Sequence, residues 1–107
     1  MRADRIVFEN MPWEKSPNGA RFKIWKSEPR QLRLLSFGTD LVHPEWCTRG
    51  HAGMILEGSM EVEFCDGRKI QFHAGDGLYI ESGLESRHRP VALTDEVRMV
   101  FVENLDP

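Results

Sequence analysis

The chain has 107 residues, a formal net charge of −3 at pH 7 and 29% charged residues. Its hydrophobic content of 40% is typical of a globular protein and excludes a disordered or fibrous one. Lys and Arg form no cluster along the chain, which argues against a nucleic-acid partner or an anionic membrane surface. The length predicts one domain over residues 1–107.

The sequence also indicates where the protein works. Its longest apolar run, Met99 to Val102, is far shorter than the roughly 20 residues that a membrane helix needs. No apolar stretch follows Met1–Arg5, so we expect no signal peptide. Two cysteines, Cys47 and Cys65, are too few for a disulfide framework. We therefore expect a cytoplasmic protein without a membrane partner.

The N-terminal part, residues 1–30, is predicted to be a strand and loop extension. Proline and glycine interrupt it, and the alternation of side chains places a strand at about 20–26. Trp13 and Trp25 are expected to act as lids or to plug the core. The sequence leaves open whether this segment covers one end of a barrel or packs on a second subunit.

The rest of the chain alternates apolar and polar residues with a period of two. This period recurs at Phe22, Ile24 and Lys26, at Leu32 and Leu34, at Met60, Val62 and Phe64, and at Val97, Met99 and Phe101. Such alternation is typical of half-buried β-strands, and no long stretch has helical periodicity. The pattern predicts an all-β protein, either a sandwich or a barrel.

One hairpin can be predicted in detail, between strands at 59–64 and 68–73. A three-residue loop, Cys65-Asp66-Gly67, pairs Val62 with Ile70 and gives one apolar face. It also places Gly67 where such a loop requires a positive φ, which glycine adopts at low cost. Cys65 should therefore lie at a turn, away from any interior site.

Side chains that can bind metals or move protons gather between His43 and His51. His43, Glu45 and Cys47 are spaced by two, so on a strand they would share one face. His51 begins the next apolar strand and can point into the space between two sheets. Zinc, iron(II) and nickel accept this mixture of nitrogen, sulfur and oxygen donors. The alternative is that His51 is a hydrogen-bonded core histidine and Cys47 a small buried hydrophobe.

The spacing of these residues resembles the first motif of the cupin superfamily, which is G, a spacer, H-x-H, three or four residues, E, six residues and G. Here Glu45-x-Cys47, three residues, His51, six residues and Gly58 fit that frame. The stretch Phe72–Ile80 resembles the approach to the second cupin motif. The resemblance covers about residues 38–102 and implies a double-stranded β-helix, the jelly-roll barrel, which often forms homodimers.

The identities at the ligand positions depart from the family pattern. Glu45 and Cys47 stand where the family has the histidines of H-x-H, and His51 stands at its glutamate. Ser86 takes the place of the second-motif histidine, and His88 follows two residues later. Two residues along a strand keep the same face, so His88 can still point inward, and a bulge at 85–87 would remove its displacement.

The resemblance therefore implies a divalent-metal site with the ligands Cys47, His51 and His88 and with Glu45 as fourth ligand or catalytic base. Zinc or iron(II) suits this set, nickel is a further candidate, and a barrel that has lost its metal is the alternative. His43, Tyr79 and Ser86 are candidate pocket residues. The expected function is a metal-dependent enzyme, such as a dioxygenase, isomerase or lyase, acting on a small polar organic molecule. The alternative is a non-catalytic module that binds and senses a small molecule or a metal.

Overall fold

The computed structural model describes residues 2–42 and 45–105, which form β-strands and two short 3-10 turns. The predicted all-β class is confirmed. The strands are β1 (Glu14–Lys15), β2 (Arg21–Ser27), β3 (Arg30–Phe37), β4 (His51–Glu57), β5 (Ser59–Phe64), β6 (Lys69–His73), β7 (Gly77–Ile80), β8 (His88–Ala92) and β9 (Val97–Asn104). The 3-10 turns are Phe8–Asn10 and Leu84–Ser86. Neither they nor any other helix in the described residues has the length and apolar character needed to cross a membrane.

The strands form two antiparallel sheets. The larger has the order β1-β2-β3-β9-β4-β7, and the smaller has the order β6-β5-β8. Strand β9 lies between β3 and β4, so the end of the chain pairs with its beginning and its middle. This topology brings residues that are distant in sequence to one interior, which is what a site built from several strands requires.

The core lies between the inner faces of the two sheets. Ile55 and Val97 are fully buried, and Met60 from the smaller sheet is 1% exposed. The alternation at Val97, Met99 and Phe101 places these side chains inward, as the period of two predicts. Both sheets therefore contribute alternate residues to one hydrophobic cluster.

The β5–β6 hairpin forms in the predicted register. Met60 lies opposite Phe72, and Val62 lies opposite Ile70. The backbone N–H of Gly67 donates to the carbonyl of Phe64, and Gly67 has a φ of 94°. The predicted three-residue loop is therefore confirmed, and the positive φ explains why glycine occupies its third position.

The strand expected at about 20–26 is β2, which pairs with β3 in the larger sheet. Trp13 and Trp25 are half-buried, and neither belongs to the core cluster. Cationic side chains accompany both rings, with Lys23 Nζ 4.7 Å from the ring centre of Trp13 and the guanidinium of Arg2 5.7 Å from that of Trp25. The prediction that they plug the core is wrong, because these rings lie against the outer face of the sheet, where cations can reach them.

The outer face of the larger sheet also carries exposed apolar side chains. Met54 is 45% exposed, Val102 is 40% exposed and Tyr79 is 75% exposed. Ala52 pairs with both Val102 and Tyr79, so these side chains stand on neighbouring strands. Such a face would suit sheet-to-sheet packing, and the homodimer stays a prediction.

Candidate metal centre

Two backbone hydrogen bonds fix Cys47 beside His88. The N–H of Cys47 donates to the carbonyl of His88 at 2.8 Å, and the N–H of His88 donates to the carbonyl of Cys47 at 3.1 Å. Residues paired in this way in an antiparallel ladder direct their side chains to the same face. The 3-10 turn Leu84–Ser86 precedes β8, and His88 points inward with 4% exposure, as its spacing predicts.

His51 begins β4 opposite Ile80, and its side chain turns toward the same interior. Its ring centre lies 4.7 Å from that of Phe101 and 5.2 Å from that of His88. The two imidazoles are nearly perpendicular, at 84°. Packing against Phe101 on one side and His88 on the other therefore restrains the ring of His51.

Cys47, His51 and His88 form one donor cluster, as the sequence predicts. Their ligand atoms all lie within 4.8 Å of one another, and Cys47 Sγ is 3.8 Å from His51 Nε2. A tetrahedral zinc ion with one sulfur and two nitrogen ligands would separate these atoms by about 3.3–3.6 Å. Small side-chain rotations would close that difference, so the donor set fits a divalent transition metal.

The Nδ1 atoms of both histidines face oxygen atoms outside the cluster, which leaves their Nε2 atoms for the cluster. His88 Nδ1 lies 2.8 Å from the carbonyl oxygen of Ser86, so it carries the proton and donates it. His51 Nδ1 lies 2.8 Å from Glu103 Oε2, an ion-pair contact whose orientation falls short of a hydrogen bond. A partner on Nδ1 that fixes the tautomer and the ring orientation is the usual arrangement for histidines that bind a metal through Nε2.

Of the two histidine nitrogens that face the cluster, His88 Nε2 is the one without a partner in the described part of the chain. It is buried and has no hydrogen-bond partner among the described residues. Buried polar atoms are nearly always paired, because an unpaired one costs about 1–3 kcal/mol. A cation bound between the three donors would give this lone pair a partner.

Glu103 anchors the far side of His51. Its side chain is fully buried, and its carboxylate lies 3.2 Å from Arg33 Nε and 3.5 Å from Arg49 Nη1. Gln31 donates a side-chain hydrogen bond to the same carboxylate. A buried carboxylate needs such compensation, and these donors together hold Glu103 in the orientation that faces His51.

The ionisable groups of the cluster shift one another. Burial raises the pKa of the Cys47 thiol, but contacts with His51 and His88 outweigh burial and lower this pKa to about 5. Burial lowers the pKa of His51, while Cys47 and Glu103 outweigh that effect and raise it. Burial also raises the pKa of Glu103, and His51 and Arg33 more than reverse the shift. Cys47 is therefore a thiolate at neutral pH, the form that binds metals.

The cluster opens onto an internal cavity of about 190 Å³. Arg33 and the three donors make one part of its wall polar, and most of the remaining wall is apolar. The apolar lining comprises Ala20, Leu35, Phe37, Leu41, Met60, Val62, Leu78, Ile80, Pro90, Met99 and Phe101. The cavity is smaller than the roughly 300–1,000 Å³ of pockets for drug-sized ligands, so it suits a small molecule.

Other predicted site residues lie elsewhere. Glu45 is exposed and outside the donor cluster, and its roles as metal ligand and general base stay predictions. Glu45 has no regular structure and Cys47 makes a single bridge, so the spacing by two does not place these two residues on one strand. Tyr79 points outward, and Ser86 contributes its backbone carbonyl to His88. His43 lies outside the described residues.

Two residues of the site escaped the sequence analysis. Glu103 continues the alternation of Met99 and Phe101 by one step, so the period of two placed it on the inner face. Arg33 alternates with Leu32 and Leu34 on β3 and faces the cavity. A charged residue on the inward side of a strand is the signal that would have identified both.

Comparisons with known proteins agree with this architecture. The model of the cupin domain matches residues 38–103. The structure of KdgF from Halomonas sp. superposes with a TM-score of 0.78 and 18% identity, over 99% of this chain and 96% of that one. The structure of the polyketide cyclase RemF from Streptomyces resistomycificus superposes with a TM-score of 0.77 and 18% identity, over 98% of this chain and 81% of that one.

A third structure, of FeII HppE, gives a TM-score of 0.74 and 10% identity, over 94% of this chain and 60% of that one. At these identities the likeness concerns the fold, and it confirms the predicted jelly-roll barrel. A sequence search of curated proteins finds no match.

Proposed function

The chain belongs to the cupin family, and from this premise we propose that it binds a divalent transition metal through Cys47, His51 and His88 and acts there on a small organic molecule. Zinc and iron(II) are the preferred ions, because they accept mixed sulfur and nitrogen donors, and nickel is a further candidate. Among the structural neighbours, one is the Fe(II) form of HppE, and another is the polyketide cyclase RemF.

The observation that carries the proposal is the buried, unpartnered Nε2 of His88. Without a metal, Cys47, His51 and Glu103 could instead act as a nucleophile, a base and an orienting carboxylate. That arrangement has no use for a second nitrogen donor beside the thiol. A metal uses all three donors, so the position of His88 favours the metal site.

Three protein ligands leave a coordination position for a ligand from the cavity, as in catalytic rather than structural metal sites. When bound, the metal would supply a Lewis acid that polarises an oxygen of the ligand. The chain would hold the donors in place through Ser86 and Glu103, and the apolar wall would exclude bulk water. These features favour an enzyme over the alternative of a sensing module, in which the ligand binds without reacting.

The proposal is tested by the metal content of untagged protein purified after growth with zinc, iron and nickel. We expect about one ion per chain by inductively coupled plasma mass spectrometry. His88→Ala should lose it, and His73→Ala should keep it, because His73 is an exposed histidine outside the cluster. The same contrast is expected between Cys47→Ser and Cys65→Ser.

A wild-type protein that holds far less than one ion per chain would overturn the metal site, as would equal metal content in the His88 and His73 variants. Enzyme and sensor are then separated with small molecules that raise the Tm of the metal-loaded protein. A stabilising molecule that is consumed on incubation supports an enzyme. One that is recovered unchanged supports the sensing module.

A further inference from the structure

Among the described residues, the cavity wall contains a positively charged side chain but no carboxylate. Arg33 lines it together with the donor cluster, whereas no Asp or Glu does so among the described residues. Glu103, the buried acid nearest to the site, stands behind His51 and is not part of the cavity wall. A ligand in this cavity therefore meets a guanidinium and the metal position, and no carboxylate side chain among the described residues.

Arg33 is held against Glu103, but some of its N–H donors remain available to a ligand. Its Nε lies 3.2 Å from Glu103 Oε1 and its Nη2 lies 3.4 Å from Glu103 Oε2. The guanidinium also packs 4.8 Å from the ring centre of Phe101. A guanidinium has five N–H donors, and the Nη1 group has no partner among the described residues. A fixed guanidinium with unused donors is well suited to bind a planar anion.

The charges around the site do not balance without an anionic ligand. Arg33 and Arg49 both contact Glu103, so two positive side chains stand against one carboxylate. The charge of a divalent cation would then have no counterpart. Uncompensated charge is costly in an apolar interior, so the site should select a ligand that carries negative charge.

The apolar part of the cavity wall and the cavity volume indicate the size and polarity of the rest of the ligand. Leu35, Met60 and Met99 are among the apolar side chains that line the cavity, and its volume is about 190 Å³. A phosphate has three acceptor oxygens and would need more hydrogen-bond donors than one guanidinium supplies. A carboxylate has two oxygens, which match two parallel N–H groups of a guanidinium. We propose that the ligand of this cavity is a small organic acid whose single carboxylate pairs with Arg33 and whose short apolar body lies against Leu35 and Met99. The inference rests on the proposed function, because the reactive end of the acid would face the metal.

The test uses pairs of molecules that differ in charge but hardly in size: propionate and propionamide, butyrate and butyramide, benzoate and benzamide. Each is titrated by NMR into the protein as purified, whose metal content is measured alongside. We expect at least one acid to bind about tenfold or more tightly than its own amide, because a hydrogen bond to a charged group is worth more than one between neutral groups.

Two arginine variants separate binding in the cavity from a general effect of charge. Arg33→Met should reduce the affinity for the acid about tenfold or more and leave that for the amide nearly unchanged. Arg68→Met is the control, because Arg68 is an exposed arginine that pairs with Asp66 and is not part of the cavity wall. We expect it to change the affinity for the acid by about twofold or less. If Arg33→Met does not fold, Arg33→Lys keeps the charge, loses the planar edge and should still weaken binding several-fold.

The inference is overturned if every acid binds no better than its amide, if no acid binds at all, or if the Arg33 and Arg68 variants lose the same affinity. Its failure can be told from failure of the proposed function. Metal at one ion per chain without a preference for acids would refute the carboxylate ligand alone. A preference that depends on Arg33 in metal-free protein would refute the metal centre alone.

Discussion

The donor cluster and the β5–β6 hairpin contain the same kinds of residue in different surroundings. The cluster has Cys47 and His51, and the hairpin has Cys65 at its turn and His73 at the far end of β6. The first pair lies 3.8 Å apart between Sγ and Nε2. In the hairpin, His73 contacts Ser59 Oγ at 2.8 Å, and Cys65 Sγ lies near the carbonyls of the Leu84–Ser86 turn.

The difference between these regions comes from topology rather than composition. Residues of a hairpin meet through local pairing, so a cysteine at the turn and a histidine at the other end of a strand stay apart. The cluster instead joins a loop, the first residue of β4 and the first residue of β8. The fold brings these distant segments together and places the buried carboxylate of Glu103 behind His51. For this reason Cys47, His51 and His88 form a candidate metal centre.

The largest expected contrast is in stability. Ile55 lies on β4, the strand that begins with His51, and is fully buried, whereas Ile70 on β6 is 43% exposed. We expect Ile55→Ala to lower the free energy of unfolding by about 2–5 kcal/mol, because it leaves a cavity in the core. Ile70→Ala should cost about 0.5 kcal/mol. Urea unfolding of both variants measures the difference, and equal losses would mean that β4 is not part of the core.

The next contrast concerns two glutamates that both contact arginine. Glu103 lies against His51, and Glu63 on β5 pairs with Arg89 at 3.4 Å. Glu103→Gln should weaken metal binding about 10- to 100-fold, because it removes the carboxylate that orients His51. Glu63→Gln should not change the affinity. Competition with a zinc-binding dye gives both dissociation constants, and if Glu103→Gln retains wild-type affinity, Glu103 has no positioning role.

The two thiols provide a third contrast, measured in chelator-treated protein. In a Cys65→Ser background, alkylation of Cys47 by iodoacetamide should be half-maximal at about pH 5, where its pKa lies. Above that pH the thiolate dominates and the rate should level off. Zinc should slow the reaction of Cys47 by about tenfold or more and leave Cys65, measured in Cys47→Ser, unaffected.

A plateau that begins only above pH 8 would show that the imidazoles do not stabilise the thiolate of Cys47. If zinc protected both thiols equally, the metal would not be specific to the cluster. Mass spectrometry of the labelled peptides assigns each reaction to its cysteine.

How much of this could be predicted depends on whether an interaction is local. The hairpin register followed from the loop Cys65–Gly67 and the alternation around it, since a turn and its strands are neighbours in sequence. His88 was placed inward by its spacing from a motif, but the 3-10 turn before it was not predicted. The alternation along β9 marks Glu103 as an inward-facing charge, but its contact with His51 depends on the pairing of β9 with β4, which no local pattern encodes.

The smallest expected effect concerns the turn of the β5–β6 hairpin, where the interactions are local in sequence. Gly67 has a φ of 94°, and a Cβ added there would have no atom within 4 Å, so its cost is conformational rather than steric. Gly67→Ala should lower the free energy of unfolding by about 1 kcal/mol, because a residue with a Cβ adopts a positive φ at a penalty. Gly77→Ala on β7 is the control, since its added Cβ meets its nearest atom at 3.8 Å and its φ is not positive. Equal stabilities of the two variants would show that the hairpin does not depend on the glycine at its turn.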